Sequence, residues 1–206
     1  GSWSWAKKAG GTEDDKGSSI DVDSNGDAFI VGTFHQTVTF TTSITLTANG
    51  SSDGYIAKIT SSGSWSWAKK IGGNEADYAE GVTVDSYDDA YVIGRYSSPT
   101  ANFGNLQVTS TQVAYQNHDI FVAKITNNGV WSYANTAGGN ASDWGNSLAV
   151  DSSRAIYITG YIGGDADFGN IPLNSNGDKD IFVAKLSSSG SWSWAKNAGG
   201  TSDEEG

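Results

Sequence analysis

GSWSWAKKAGG (residues 1–11) decides the fold, because nearly the same eleven residues return three times along the chain. The copies read GSWSWAKKIGG at 63–73, GVWSYANTAGG at 129–139 and GSWSWAKNAGG at 190–200. Together they hold seven of the eight tryptophans. A recurrence every ~60 residues predicts that one supersecondary unit is repeated and stacked against its neighbours.

Each repeat carries the same four short apolar runs. The first ends in Asp-Ser, the second ends in glycine and an aromatic residue, the third contains Ala-Lys, and the tryptophan segment is the fourth. In the first repeat these runs are 18–24, 28–34, 54–60 and 63–73, and Asn25-Gly26 between the first two is a strong hairpin signal. Four strands per ~60 residues without helical periodicity predict an all-β fold of β-propeller blades, each a four-stranded antiparallel sheet. A solenoid, the alternative, needs shorter repeats.

The order of these motifs resembles a known family. V-D-S-x-x-x-x-[YF]-[VI]-x-G-x-[FY], then F-G-N, then D-I-F-V-A-K-[LI]-x-x-x-G-x-W-x-[WY]-A is similar to the bacterial β-propeller repeat called SBBP, for seven-bladed β-propeller. The resemblance covers nearly the whole chain. It implies a propeller fold in a large secreted or cell-surface bacterial protein, with no common catalytic motif. The first repeat departs from the pattern, since TVTFTTSITL (37–46) replaces Phe-Gly-Asn, and the turn at 151–155 lacks glycine.

The succession of runs predicts three full blades plus one extra outer strand. Residues 1–17 are predicted as the outer strand and loop of a preceding blade, 18–73 as blade 1, 74–139 as blade 2, and 140–206 as blade 3 with the start of the next repeat. Propellers close with about four to eight blades. We therefore expect either a part of a larger propeller or a chain that assembles with its own copies. The lack of methionine and of a signal peptide favours a mature product or a piece of something longer.

The paired aromatic residues of the tryptophan segment are candidates for packing or for binding. Alternation along a strand predicts that Trp3 and Trp5 share one face and that the small residues between them share the other. A pair that recurs in every blade predicts structural packing by Trp3, Trp5, Trp65, Trp67, Trp131, Tyr133, Trp192 and Trp194. Stacking of these rings on glycans is the alternative.

Composition and charge limit the possible partners. The net charge is −11 and no basic cluster occurs, so neither nucleic acid nor an anionic membrane is an expected partner. No apolar run approaches the roughly 18 residues that a membrane-spanning helix needs, so no membrane insertion is expected. The expected partners are other blades of the same protein or its own copies, and glycans or cell-surface proteins are alternatives. The SBBP resemblance implies an extracellular or cell-surface location.

One stretch matches the opening of a calcium-binding loop. Asp21, Asp23, Asn25 and Asp27 alternate along the chain, with Gly26 at the sixth position. The distal glutamate of such loops is missing, and the equivalent turns of the other repeats lose the pattern. An Asn-Gly hairpin turn with acidic flanks is therefore the competing interpretation, and no other cofactor is expected.

The sequence predicts no enzyme. Its two histidines, His35 and His118, form no catalytic triad or metal motif with neighbouring residues. A functional surface is expected where residues break the repeat, as Glu80 and Tyr115 do. The binding candidates of this kind are Arg95, Tyr96, His118, Trp144, Arg154 and Tyr161. We expect a structural, adhesive or interaction segment, with a glycan-binding propeller or a fragment of an enzyme with a distant active site as alternatives.

Overall fold

Three four-stranded antiparallel sheets form the core of the computed structural model, which describes residues 1–110 and 117–202. Within these ranges there is no helix with the length and apolar character needed to cross a membrane. The all-β blade architecture is confirmed. Tyr115 and residues 203–206, predicted as part of the next repeat, lie outside the described residues.

Each blade contains six strands, four in the main sheet and two in an inserted hairpin. Blade 1 contains β1 (Asp15–Val22), β2 (Ala28–Phe34), β3 (Thr37–Thr41), β4 (Ile44–Thr47), β5 (Asp53–Ile59) and β6 (Trp65–Ile71). Blade 2 contains β7 (Asp77–Val84), β8 (Ala90–Tyr96), β9 (Thr100–Phe103), β10 (Leu106–Thr109), β11 (Asp119–Ile125) and β12 (Trp131–Gly139). Blade 3 contains β13 (Trp144–Val150), β14 (Ile156–Ile162), β15 (Ala166–Asp167), β16 (Pro172–Leu173), β17 (Asp180–Leu186) and β18 (Trp192–Ala198).

The main sheets share one strand order. It is β1-β2-β5-β6 in blade 1, β7-β8-β11-β12 in blade 2 and β13-β14-β17-β18 in blade 3. The first strand of each blade packs against the preceding blade: β7 lies on β1 and β2, and β13 lies on β7 and β8. We call the face of a blade toward the next blade its leading face and the opposite one its trailing face. Two large cores fill the junctions between blades.

The inserted hairpin ties each blade to the one before it. Gly72, directly after the outer strand β6 of blade 1, exchanges backbone hydrogen bonds with Asn102 of the blade 2 hairpin. In the same way β12 pairs with β15 of blade 3, which makes that sheet six-stranded. The four strands predicted for each repeat do not include this hairpin, and its role in joining blades is visible only in the structure.

The opening segment differs from its prediction as an outer strand. Residues 1–9 form no strand, because a strand needs a paired neighbour for its backbone groups and none adjoins them in the described chain. The segment nevertheless occupies the outer-strand position relative to blade 1. Gly10 bonds to Thr39 of the blade 1 hairpin, as Gly72 bonds to Asn102. The sheet of blade 1 also begins earlier than residue 18, since Asp15 pairs with Phe34 on the far side of a bulge. The other predicted boundaries stay predictions.

Candidate functional site

Repeat-breaking residues meet at one position in the first two strands of each blade. The second and first strands pair so that Lys16 lies opposite Thr33 in blade 1, Tyr78 opposite Arg95 in blade 2 and Trp144 opposite Tyr161 in blade 3. The three pairs are structurally equivalent but chemically different. The repeat therefore fixes the place of each pair, while its residues set its chemistry.

Arg95 fills the junction between blades 2 and 3. Its guanidinium carbon lies 4.4 Å from the ring centre of Tyr78 and 3.4 Å from that of Trp144. Nη1 of Arg95 is 2.8 Å from Oε1 of Glu80, a mostly buried ion pair. Burial lowers the pKa of Arg95 and the charge of Glu80 opposes this. The guanidinium is therefore held as a cation between two ring faces, an arrangement favoured by the ring quadrupoles.

The stack continues into blade 3. The rings of Trp144 and Tyr161 are stacked at 5.2 Å, and the ammonium of Lys179 lies 4.8 Å from the centre of the Tyr161 ring. His118 packs beside the stack, 6.1 Å from Trp144 between ring centres. Burial and the charge of Arg95 lower the pKa of His118 to about 4, so its imidazole is neutral near pH 7. Four of the six predicted binding residues, Arg95, His118, Trp144 and Tyr161, thus belong to one cluster.

The other two binding candidates lie elsewhere. Tyr96 is buried on the trailing side of blade 2, where its hydroxyl shares a 2.7 Å hydrogen bond with Thr136. Arg154 occupies the hairpin turn of blade 3 with a φ of 64°, the conformation that Gly26 has in blade 1. Its guanidinium lies over the ring of Tyr87 in blade 2. The structure gives both residues packing roles away from the cluster.

A cavity of about 420 Å³ opens at the equivalent place between blades 1 and 2. Blade 1 lines it with Asp14, Asp15, Lys16, Thr33 and His35, and blade 2 lines it with Tyr78, Glu80 and Arg95. We call it the Thr33 cavity. Of this lining, only Arg95 and Glu80 were expected from the sequence to lie on a functional surface. The shortness of Thr33 against its equivalents Arg95 and Tyr161 was the signal that could have located it.

The predicted calcium residues have other partners. Oδ1 of Asp23 accepts hydrogen bonds from the N–H groups of Asn25 and Asp27, and Oδ2 lies 2.8 Å from Nζ of Lys58. Burial acts to raise the pKa of Asp23, but these hydrogen bonds outweigh it and the pKa is lowered. Asp21 reaches across the junction and accepts from Val84 N–H.

The structure therefore makes this loop a turn braced by an internal ion pair. In blade 2 the same ion pair joins Lys124 to Asp85 and Asp89. Among residues 1–110 and 117–202, no group of three or more His, Asp or Glu side chains is placed to hold a metal ion. Calcium binding at Asp21, Asp23, Asn25 and Asp27 stays a prediction, which calcium titration against melting temperature tests.

The paired rings of each outer strand do not share a face, contrary to the expectation from alternation. Trp65 pairs with Ile59 and Trp67 pairs with Lys58, so Ser66 is an extra residue in a β-bulge. A bulge shifts the side-chain alternation by one residue. The first ring therefore points to the trailing face and the second to the leading face. The same register shift recurs in blades 2 and 3.

The first ring of each pair packs on its own hairpin. Trp65 meets Phe40, Trp131 meets Phe103 and Trp192 meets Phe168, edge to face with ring centres 4.9, 5.2 and 5.1 Å apart. Trp3 is the exception to the packing prediction, since it is 95% exposed. The physical reason is that no hairpin of its own blade lies beside it in the described residues.

The second ring bridges to the next blade. Trp67 Nε1 donates to the carbonyl of Asn127, and Trp5 Nε1 donates to that of Ser61. Both rings lie over the turn glycine of the next blade, and Tyr133 lies over Gly190 in the same way. Trp194, the equivalent ring of blade 3, is 37% exposed.

Comparison with known proteins agrees with this geometry. Residues 133–169, from the outer strand of blade 2 to the hairpin of blade 3, match the family model SBBP, described as a beta-propeller repeat. This segment of the chain is similar to an SBBP repeat. It is also 25% identical, over an alignment of 239 residues, to an uncharacterized WD repeat-containing protein of Acanthamoeba polyphaga mimivirus. That alignment covers 98% of this chain but 17% of the relative's length. Both similarities support an interaction fold of the propeller type.

Proposed function

We propose that the chain is a non-enzymatic interaction segment of a secreted or cell-surface propeller repeat protein, and that its two outer faces dock blades of the same repeat. The observation that carries the proposal is a pair of uncovered sheet faces. Each is one half of an interface that the chain already forms internally. The grouped titratable residues support a non-catalytic role, because Arg95 is held in the ring stack and Glu80 pairs with it.

The leading face of blade 3 is the first uncovered face. In blade 2 the equivalent residues, among them Ile93 and Val122, are fully buried by blade 3. In blade 3 their places are taken by Thr159 and by Val183, which is 41% exposed. A shallow depression of about 240 Å³ lies between them and β13. The exposed apolar side chain of Val183 is therefore suited to packing against a following blade.

The trailing face of blade 1 is the second uncovered face. Ile20 and Val22 of β1 are 64% and 57% exposed, whereas Val82, at the Ile20 position in blade 2, is buried against blade 1. Because the two uncovered faces are the complementary halves of a recurring interface, blade 3 of one copy fits blade 1 of another. Residues 190–200 differ from residues 1–11 only by Asn197 in place of Lys8. The outer strand of one copy can therefore take the place of the opening segment of the next at little cost.

Light scattering after gel filtration, over a range of protein concentrations, tests this proposal. We expect mass above the 21.5 kDa of one chain, rising with concentration, and a shift to the single-chain mass in Val183→Asp and in Ile20→Asp. Val130→Asp is the matched control, since Val130 is an exposed apolar residue on a turn. A wild-type mass of one chain at every concentration would overturn the docking of copies.

The location and the alternative partner have separate tests. The secreted or cell-surface location is supported by the SBBP repeat, and antibody labelling of intact source cells tests it. Glycan binding by exposed rings is favoured by one observation, the exposure of Trp3 and Trp194. A glycan array with wild type and Trp194→Ala tests that alternative, which requires binding by wild type and its loss in the variant.

A further inference from the structure

The two internal junctions of the chain differ at one place. Between blades 2 and 3, the guanidinium of Arg95 occupies the space between the ring of Tyr78 and the ring of Trp144. One blade earlier, the positions of these three residues belong to Thr33, Lys16 and Tyr78. The side chain of Thr33 is too short to reach the ring of Tyr78. The Thr33 cavity is therefore the space that a guanidinium fills in the next junction.

We propose that the Thr33 cavity binds an arginine side chain presented by a partner protein. The Tyr78 ring lines the cavity and offers a face on which a planar cation can stack. This is the role that the Trp144 ring has toward Arg95. The proposal concerns a surface separate from the uncovered faces of blades 1 and 3, so it does not depend on docking of copies.

The charge around the cavity suits a cation. The carboxylates of Asp14, Asp15 and Glu80 line it with two permanent cations, Lys16 and Arg95. Glu80 already neutralises Arg95 through their 2.8 Å contact. The remaining carboxylates therefore exceed the remaining cation, and the net charge of −11 adds a favourable field for a basic partner.

One residue of the cavity lining also has an unpartnered acceptor atom. Oδ2 of Asp15 accepts from Gly11 N–H, but Oδ1 is buried without a hydrogen-bond partner among the described residues. A guanidinium carries five N–H donors in a planar fork, so it can stack and donate at once. An ammonium has three donors but no planar face to lay against a ring, so arginine is favoured over lysine.

Neither arginine of these 206 residues is available to the cavity, so we assign the arginine to a partner protein. The chain has two arginines, Arg95 and Arg154, and each is engaged over an aromatic ring of this chain. A second copy has no other arginine to offer. The partner is thus a protein with an exposed arginine that can enter a cleft between two blades.

Titration of 15N-labelled protein with N-acetyl-arginine amide, followed by NMR, tests the proposal. At low salt we expect saturable shifts near Thr33 and Tyr78 with a Kd of about 1–10 mM, and binding of N-acetyl-lysine amide about threefold or more weaker. Thr33→Arg supplies the guanidinium from within, so it should weaken binding at least about tenfold. Thr33→Val, the control of similar shape, should stay within about twofold of wild type.

A second variant keeps the test decisive if Thr33→Arg does not fold. Asp14 is exposed, so Asp14→Asn leaves the core intact and should weaken binding of the arginine probe about threefold or more. No saturable shift with the arginine probe would overturn the proposal. So would equal binding of the lysine probe, or undiminished binding by both folded variants. Since none of these readouts depends on molecular mass, failure here is distinguishable from failure of copy docking.

Discussion

Truncation of the second aromatic ring of an outer strand should lower the free energy of unfolding much more at a junction between blades than at an uncovered face. In Trp67→Ala the indole is removed from a junction where it packs edge to face on Phe29, 5.8 Å between ring centres, and donates a 3.1 Å hydrogen bond to Asn127. Truncation of a buried tryptophan to alanine lowers the free energy of unfolding by about 3–5 kcal/mol, and loss of the hydrogen bond adds about 1 kcal/mol. Because Trp67 is only partly buried, we expect a total loss of about 3 kcal/mol.

Trp194→Ala is the matched variant. Trp194 has the same place in blade 3, packs on Tyr157 at 6.1 Å and is 37% exposed, with no following blade over it among the described residues. We expect a loss of about 1 kcal/mol when the protein is dilute enough to be a single chain. The assay is urea denaturation followed by circular dichroism, with the free energies of unfolding compared among wild type and both variants. Equal losses would refute the reasoning, because burial by the next blade would then contribute nothing.

Three further results are expected from denaturation experiments. Burial raises the pKa of Asp143 to about 7, above the 3.8 of the unfolded chain. Between these two values the folded state keeps a proton that the unfolded state releases. The free energy of unfolding should therefore fall as pH rises from about 4 to 7. Asp143→Asn should flatten this decline; an unchanged slope would contradict it. Lys124→Met leaves the carboxylate of Asp85 buried without its cation and should cost about 3 kcal/mol, against little change in the exposed control Lys196→Met. Gly94→Ala should cost more than about 2 kcal/mol, since its Cβ would lie 2.0 Å from the carbonyl oxygen of Tyr78; wild-type stability would show that the strands can separate freely.

The blade itself was predictable because repetition averages out local ambiguity. A single run such as 28–34 is compatible with several folds, but the same four runs in the same order leave few alternatives. The cluster around Arg95 could also be predicted from the sequence. Residues that break a repeat are released from the packing requirement that all blades share, and four such residues, including Trp144, do meet at one junction.

The face of the sheet on which each tryptophan ring lies could not be predicted from the alternation of side chains along a strand. One unpaired residue, Ser66, inverts the side-chain order of the strand, and a bulge depends on hydrogen bonds with β5 rather than on local sequence. The Thr33 cavity was missed for a related reason. A cavity arises from a side chain that is too short for its neighbours, and those neighbours, Tyr78 and Glu80, belong to another blade far along the chain.

The link between each outer strand and the next hairpin has a mechanical consequence. At Gly72 and Asn102, two backbone hydrogen bonds join neighbouring blades at the rim, far from the first strands that pack at the centre. A blade fastened at both its inner and its outer edge cannot pivot about either one. Tension across a junction would load the rim hydrogen bonds and the apolar core together. The two blades would therefore separate in one cooperative step rather than rotate apart about one edge.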